Sequence, residues 1–198
     1  MIGMATPGPA ESELLVVADA AAWREWLDVY EDAPDGVWLV LAKKGVTSPT
    51  SLSYAEALDE ALCSGWIDGQ RRTWNETTFI QRFTPRRARS LWSQRNVTYV
   101  ARLSEQGRMR ARGQAEIDRA KADGRWERAY AGPATAQVPE DLAAALDSSP
   151  ELRSAFEALS SQDRFLVIHP LLTASTDATR AARLARSIEG LQRAADAG

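Results

Sequence analysis

Apolar residues recur along the first third of the chain at spacings that predict two strands and two helices. Residues 13–17, in which four apolar residues follow Glu13, are typical of a short strand. In residues 23–30 the large apolar side chains follow the i, i+3, i+4, i+7 spacing of one helix face, and Asp19 precedes them as an N-cap. The continuous apolar run at 37–42 predicts a strand buried on both faces, and Ser53 opens an S-x-x-E capping box for the next helix.

A change to alternating side chains in the middle of the chain predicts a β-hairpin. Residues 66–72 form its first strand, 73–76 its turn and 77–84 its second strand. The period of two in the second strand separates two faces, which carry Phe79, Gln81 and Phe83 on one side and Thr78, Ile80 and Arg82 on the other. Pro85 has no N–H to donate, so it ends the strand. Gly65 stands just before the hairpin, where we expect a left-handed helix cap.

After the hairpin the pattern becomes helical to the end of the chain. It predicts six helices, over residues 93–107, 112–123, 139–146, 149–159, 161–172 and 176–195. The fold class is therefore α+β, with a small antiparallel β-sheet and packed helices followed by a C-terminal all-helical module. We expect a disordered leader at 1–11, an α+β domain at 12–130, a linker at 131–138 and the helical module at 139–198.

The charge balance argues against a surface built to hold nucleic acid. The 198-residue chain has a net charge of −3 and a pI near 5.3, so any anion must be held by a local patch. A single cysteine, Cys63, excludes an intramolecular disulfide. No apolar run reaches the roughly 20 residues of a membrane-spanning helix, and the N-terminus has no signal-peptide pattern. We therefore expect a cytoplasmic protein with no transmembrane segment.

The sequence lacks the catalytic and cofactor-binding motifs of most enzyme classes. The single histidine, His169, lies in an apolar run, which favours a structural role over a catalytic one. Zinc sites of Cys and His are excluded by count, and no phosphate-binding glycine loop, dinucleotide fingerprint, zinc-protease motif or calcium-binding loop occurs. We expect no cofactor and no metal, and the residues favour a protein without catalytic activity.

Arginine and tryptophan are concentrated in and directly after the hairpin. Guanidinium groups grip phosphate or carboxylate with a planar fork and stack on aromatic rings, so this combination suits an anion with a flat part. Amide side chains among them supply further hydrogen bonds. The candidate ligand-binding residues are Trp66, Asp68, Gln70, Arg72, Gln81, Arg82, Phe83, Thr84, Arg86, Arg87, Trp92 and Asn96. The alternative is that the arginines are solvated, Asp68 pairs with one of them, and the tryptophans belong to the core.

The same residues resemble a known family. The string 66–70, followed by Phe79, by 81–87 and by Trp92 and Ser93 with Asn96, is similar to the signature of the YdeI/OmpD-associated family, also named bacteriocin-protection proteins. The likeness extends over most of the chain, including the helical tail. It implies no established enzymatic activity and an association with resistance to cationic antimicrobial peptides. It also implies a periplasmic location for some members, from which this chain departs because it shows no signal peptide.

Four functions remain open on these residues. The arginine cluster favours a small anionic ligand such as a nucleotide, a sugar phosphate or a carboxylate. The alternative implied by the resemblance is a protein-interaction or stress-protection role without catalysis. Nucleic acid can use the same arginines but is disfavoured by the net charge of −3. An enzyme would use Asp68 as acid or base beside the arginines, and it is the least supported of the four.

Overall fold

The computed structural model describes residues 9–10, 13–174 and 176–196. The leader predicted at 1–11 lies outside these residues, apart from 9–10, and stays a prediction. The described part forms, in order, β1 (Leu14–Leu15), α1 (Ala20–Tyr30), β2 (Val37–Ala42), α2 (Tyr54–Cys63), β3 (Trp66–Thr73), β4 (Thr78–Pro85), α3 (Gln94–Glu105), α4 (Ala111–Ala122), α5 (Glu140–Asp147), α6 (Pro150–Ala158), α7 (Ser161–Leu172) and α8 (Asp177–Asp196). The elements expected from the sequence are present, with ends that shift by a few residues.

Contacts divide the described residues into two units. The first runs to Ser90 and takes in Thr98–Trp126, and the second consists of Leu91–Val97 and the residues from Glu127 onward. The boundary falls inside α3, whose first turn belongs to the second unit. The division into a domain, a linker and a module at the positions expected from the sequence stays a prediction.

A four-stranded sheet in the order β1-β2-β4-β3 forms the centre of the first unit. β4 lies between β2 and β3 and runs antiparallel to both. β1 runs parallel to β2, which requires a crossover connection, and α1 supplies it. The α+β class is confirmed. The sheet is mixed rather than purely antiparallel, because the chain returns through α1 before it enters β2.

Aromatic side chains pack α1 and α2 against one face of this sheet. The ring centroid of Trp23 lies 5.7 Å from that of Phe83 on β4 and 6.3 Å from that of Trp66 on β3. All three side chains are fully buried. Trp23 Nε1 donates a hydrogen bond of 3.1 Å to the carbonyl oxygen of Ala57 in α2. Since burial of one such side chain contributes about 2–3 kcal/mol, this cluster holds the sheet and the two helices together.

The chain enters the hairpin directly from α2. That helix begins at the predicted capping box, in which Ser53 Oγ accepts from the Glu56 amide and the Ser53 amide donates to the Glu56 carboxylate. It is followed by Gly65, whose φ of +75° lies in the left-handed region that glycine adopts without strain. The turn at Gly65 therefore delivers Trp66 straight from the helix end into the core.

The second unit has a hydrophobic core of its own. Its buried side chains come from four helices and are Leu142, Leu146, Leu152, Phe156, Ile168, Leu171 and Leu191. Arg180 on α8 forms an ion pair of 2.7 Å with Asp141 on α5. The hydrogen bond from Arg180 holds the pKa of Asp141 below its ordinary value. The helical stripes read from the sequence thus meet in one small bundle.

Candidate functional site

Half of the twelve candidate residues are buried side chains. The exposed fraction is below a tenth for Trp66, Gln81, Phe83, Arg86, Trp92 and Asn96. Trp66 and Phe83 belong to the aromatic core already described, and Trp66 Nε1 donates to the carbonyl oxygen of Glu31 at 3.0 Å. Trp92 and Asn96 fall in the second unit. Because these side chains have little exposed surface, their predicted contact with a ligand stays a prediction.

A β-bulge shapes the first strand of the hairpin. The pairing of β3 with β4 shifts between Asp68, which lies opposite Phe83, and Arg71, which lies opposite Gln81, so β3 contains one extra residue there. Gln81 is buried, and its Nε2 donates to the carbonyl oxygen of Gly69 at 2.7 Å. The buried amide of Gln81 therefore holds the bulge and satisfies a backbone carbonyl that the ladder leaves unpaired.

The bulge determines which of the two neighbouring arginines, Arg71 or Arg72, lies on which face of the sheet. Side chains opposite each other on antiparallel strands share a face, so Arg71 lies with Gln81, and Arg72 lies with Ile80. The Arg71 guanidinium carbon lies 3.9 Å from the ring centroid of Phe79, on the first of these faces. The hairpin therefore does not present its arginines as one cluster.

Two of the candidate arginines meet at a tryptophan on the neighbouring strand. Trp38 on β2 is half-buried and lies directly opposite Arg82 on β4. The guanidinium carbon lies 5.8 Å from the centroid of the Trp38 ring for Arg82 and 5.3 Å for Arg72. Both distances are within the roughly 6 Å of a cation–π contact. We call Trp38, Arg72 and Arg82 the tryptophan–arginine face.

Neighbouring polar groups orient these two arginines. Gln70 Oε1 accepts hydrogen bonds from Arg72, at 3.3 Å from Nε and 3.1 Å from Nη2. Arg82 Nη2 donates to the carbonyl oxygen of Asp35. Thr84 is half-buried and follows Arg82 at the period of two, so it lies on the same face. The arrangement leaves two fixed cations beside one aromatic ring.

Asp68 is held by a tyrosine. Tyr54, the first residue of α2, donates its hydroxyl to Asp68 Oδ2 at 2.7 Å. Asp68 lies opposite Phe83 and so points to the face of the sheet on which α1 and α2 pack. This hydrogen bond ties α2 to β3. A catalytic role for Asp68, the least supported of the four alternatives, is not tested by this contact.

The loop after β4 is braced by an arginine that the sequence pattern did not single out. Arg125 is buried and donates from Nη1 to the carbonyl oxygen of Ser90 at 2.7 Å, while its Nη2 lies 2.8 Å from Asp123. Ser90 Oγ in turn accepts from the amide of Arg87 at 2.9 Å. Arg87 and Arg89 have exposed side chains. The loop therefore has a hydrogen-bonded backbone and exposed cations at its surface.

A network of ion pairs joins α2 to the residues that precede α4. The carboxylate of Glu60 is 2.6 Å from Arg108 and 2.6 Å from Arg110. Burial, and next the negative charge of Glu60, raise the pKa of the nearby Cys63 thiol to about 11. A buried thiol with a raised pKa is protonated and inert near neutral pH.

His169 lies among aromatic rings in the second unit. Its ring centroid is 4.7 Å from that of Tyr130 and 5.2 Å from that of Phe165. Burial, and next the positive charge of Arg183, lower its pKa below the ordinary value. Across the residues that the structure describes, no group of three His, Cys, Asp or Glu side chains is placed to hold a metal ion.

The comparisons with known proteins place the chain in a family. Residues 15–116 match the model of a family described as Domain of unknown function (DUF8412), and this match covers more than half of the 198 residues. The chain belongs to this family. The description of this family names no function, so a functional site has to be inferred from the side chains. The tryptophan–arginine face lies within the matched residues.

A second match confirms the resemblance drawn from the sequence. Residues 135–194 match the model of the family described as Bacteriocin-protection, YdeI or OmpD-Associated. This segment covers the helices α5 to α8, whereas the hairpin motif lies in the segment matched by the first family. No curated protein and no solved structure matches the chain. Within the described ranges, no helix has the length and apolar character needed to cross a membrane.

Proposed function

We propose that this protein is a cytoplasmic binding protein that holds a small anionic ligand, bearing phosphate or carboxylate, at the tryptophan–arginine face. The observation that carries the proposal is the pair of guanidinium carbons at 5.3 and 5.8 Å from the ring of Trp38. Two guanidinium groups held close to one aromatic ring would offer paired hydrogen-bond donors to an anion and a ring for stacking a flat group.

The hydrogen bonding of the Arg82 guanidinium supports this proposal. Its guanidinium donates to one backbone carbonyl, that of Asp35, and it forms no ion pair with a carboxylate of the described residues. A guanidinium carries five N–H donors, so one backbone acceptor leaves most of them available. An anion that takes these donors also neutralises a charge held at a half-buried position.

The surroundings supply further contacts for the proposed ligand. Gln70 fixes Arg72 through two hydrogen bonds, and Thr84 adds a hydroxyl on the same face as Arg82. Gln81, Trp66 and Phe83 act from beneath, because they hold the bulge and the core on which the strands rest. Preorganised donors lose less conformational entropy when the ligand binds, which favours affinity.

The test compares Arg82→Ala with a matched arginine that does not contact Trp38. Arg89 is exposed and lies in the same arginine-rich segment, so Arg89→Ala removes an equal charge. Parent and variants are titrated with a nucleoside monophosphate, a sugar phosphate, a dicarboxylate, inorganic phosphate and a short oligonucleotide. A ligand at a hundred times its Kd stabilises the folded state by about 2.7 kcal/mol, which raises Tm by roughly 5–10 °C for a chain of this size.

The expected result is a Tm increase with at least one small anion that Arg82→Ala loses and Arg89→Ala keeps. Calorimetry should then show an affinity lower by a factor of about 10 in Arg82→Ala, as for one charge-assisted contact. The proposal is wrong if no anion raises Tm, or if the two variants respond alike. Binding of the oligonucleotide alone, with a steep loss of affinity in salt, would identify a nucleic-acid site instead.

A protective role is the second candidate. It is supported by the similarity of residues 135–194 to a family described as bacteriocin-protection. The net charge of −3 favours attraction to cationic peptides at low ionic strength. Calorimetry with polymyxin at low and high salt tests it, and peptide binding together with a negative anion panel would select this function over the first.

A further inference from the structure

An open groove lies between α7 and α8, within the second unit and independent of the tryptophan–arginine face. It has a volume of about 730 Å³. The walls are mainly apolar and are lined by Leu159, Leu166, Val167, Pro170, Leu191 and Ala194. The volume and the apolar lining are those of sites for small organic ligands. Leu166 is 62% exposed, so one wall of the groove is open to solvent.

One end of the groove is positively charged. Arg183 and Arg186, three residues apart on α8, both line it. Arg183 Nη1 donates to the carbonyl oxygen of Pro170 at 2.7 Å and to Thr173 Oγ1 at 3.3 Å, and Arg186 Nε donates to the carbonyl oxygen of Ala182 at 3.2 Å. Neither guanidinium forms an ion pair with a described carboxylate. The charge of both is therefore still available to an anion.

The other end of the groove is near the start of α7. The acidic lining residue is Asp163, whose carboxylate accepts a hydrogen bond of 2.7 Å from the Ser160 hydroxyl at the helix N-terminus. Asp163 precedes Pro170, whose carbonyl oxygen accepts from Arg183, by seven helical residues, a rise of roughly 10 Å, so Asp163 and Arg183 are separated along the groove. The groove thus has arginine side chains towards one end, apolar walls along its length and one carboxylate at the other end.

The floor along α8 is formed by small residues. Ser187, Gly190 and Ala194 line the groove, and a Cβ added at Gly190 would meet no atom within 4 Å. A side chain at position 190 would therefore project into open space. This observation provides a way to fill the groove without disturbing the packing around it.

We propose that this groove binds a free single-chain amphiphile, with its carboxylate at Arg183 and Arg186 and its alkyl chain along the apolar walls. The apolar lining favours burial of an alkyl chain, and the two guanidinium groups favour binding of an anionic head group.

The test uses laurate as the probe, below its micelle concentration, with the full chain. Dodecyltrimethylammonium carries a tail of the same kind with a cationic head, and butyrate carries the head with a short tail. Binding is followed by amide chemical shifts in two-dimensional NMR. Two variants probe the site, Gly190→Leu for the apolar space and Arg186→Glu for the charge. Their matched controls are Ala185→Leu and Arg193→Glu, exposed positions on α8 that do not line the groove.

Laurate should bind saturably at one site and shift the amides of α7 and α8. The Kd should rise by roughly tenfold in Arg186→Glu, binding should be lost in Gly190→Leu, and both control variants should behave as the parent. The inference is overturned if laurate and dodecyltrimethylammonium bind alike, if laurate does not saturate, or if Gly190→Leu still binds. Binding of an acidic amphipathic peptide without binding of laurate would also overturn it, because the groove would then be a helix-docking surface.

Discussion

Trp38 and Arg82 are cross-strand partners, and the Arg82 guanidinium carbon lies 5.8 Å from the centroid of the Trp38 ring. Their pairing places a candidate arginine against an aromatic ring from a strand outside the hairpin. Arg72 approaches the same ring from the third strand at 5.3 Å. Three strands therefore build one surface, and the register of the sheet decides which arginines belong to it.

Trp38→Leu should separate the stacking and charge contributions to ligand binding. The substitution removes the ring but keeps Arg72 and Arg82, so the affinity for an anion with a flat ring should fall by roughly tenfold, since stacking is worth about 1–3 kcal/mol. The affinity for inorganic phosphate should change little. Calorimetry with a nucleoside monophosphate and with phosphate measures both, and an equal loss for the two ligands would contradict a stacking role.

Glu60→Gln should destabilise the first unit by about 2–3 kcal/mol. The variant removes the charge that lies 2.6 Å from each of two arginines. It leaves the guanidinium of Arg110, whose side chain is 14% exposed, with the half-exposed Asp28 as its remaining carboxylate. Asp32→Asn is the control, because Asp32 pairs with Arg112 but its side chain is 92% exposed. That change should cost less than about 0.5 kcal/mol. Urea unfolding followed by tryptophan fluorescence gives both values, and equal costs would show that burial is irrelevant.

Gly113→Ala should destabilise the contact between α2 and α4. A Cβ at position 113 would lie 2.2 Å from the carbonyl oxygen and 2.8 Å from the carbonyl carbon of Cys63, and backbone atoms cannot move aside cheaply. The overlap should cost about 2 kcal/mol or more, which exceeds the gain of roughly 1 kcal/mol in helix propensity. Gly190→Ala meets no atom within 4 Å and should stabilise α8 by about 0.5–1 kcal/mol. Thermal unfolding of the two variants should therefore move in opposite directions.

The stability of the first unit should fall between pH 9 and 11 through Cys63. Burial raises the pKa of its thiol from 9.0 to about 11, so the folded state favours the neutral form. This contribution to stability is complete below pH 9, where both states are protonated, and is lost as the pH rises through about 11. Cys63→Ala lacks this group. The difference in unfolding free energy between parent and variant should thus shrink as the pH rises, and a constant difference would contradict the prediction.

The order of helices and strands was predictable because it depends on local patterns. Three such patterns are the capping box at Ser53, the left-handed conformation of Gly65 and the apolar run of β2. Each is encoded by a few neighbouring residues, so it can be read from the sequence. The pairing of β1 was not predictable, because two residues carry no signal for the direction of a strand. That direction follows from the crossover through α1.

The candidate site was predictable only in part. Arginine, glutamine and tryptophan are the residue types expected at an anion site, and Arg72 and Arg82 do lie together. Trp38 was missed because the run of β2 was interpreted as buried on both faces. Its first two residues are in fact half-buried, and their position next to the turn at Gly36 was the signal available in the sequence.

The α+β class, the helix caps and the segment rich in anion-binding side chains could all be predicted from the sequence, because each is a pattern of neighbouring residues along the chain. Which of these side chains share a face of the sheet could be learned only from how the strands pair. Because of the extra residue in the bulge, Arg72 rather than Arg71 lies opposite Ile80 and shares the face of Arg82. Register and bulges depend on the packing of distant strands, so a pattern of period two in one segment does not encode them.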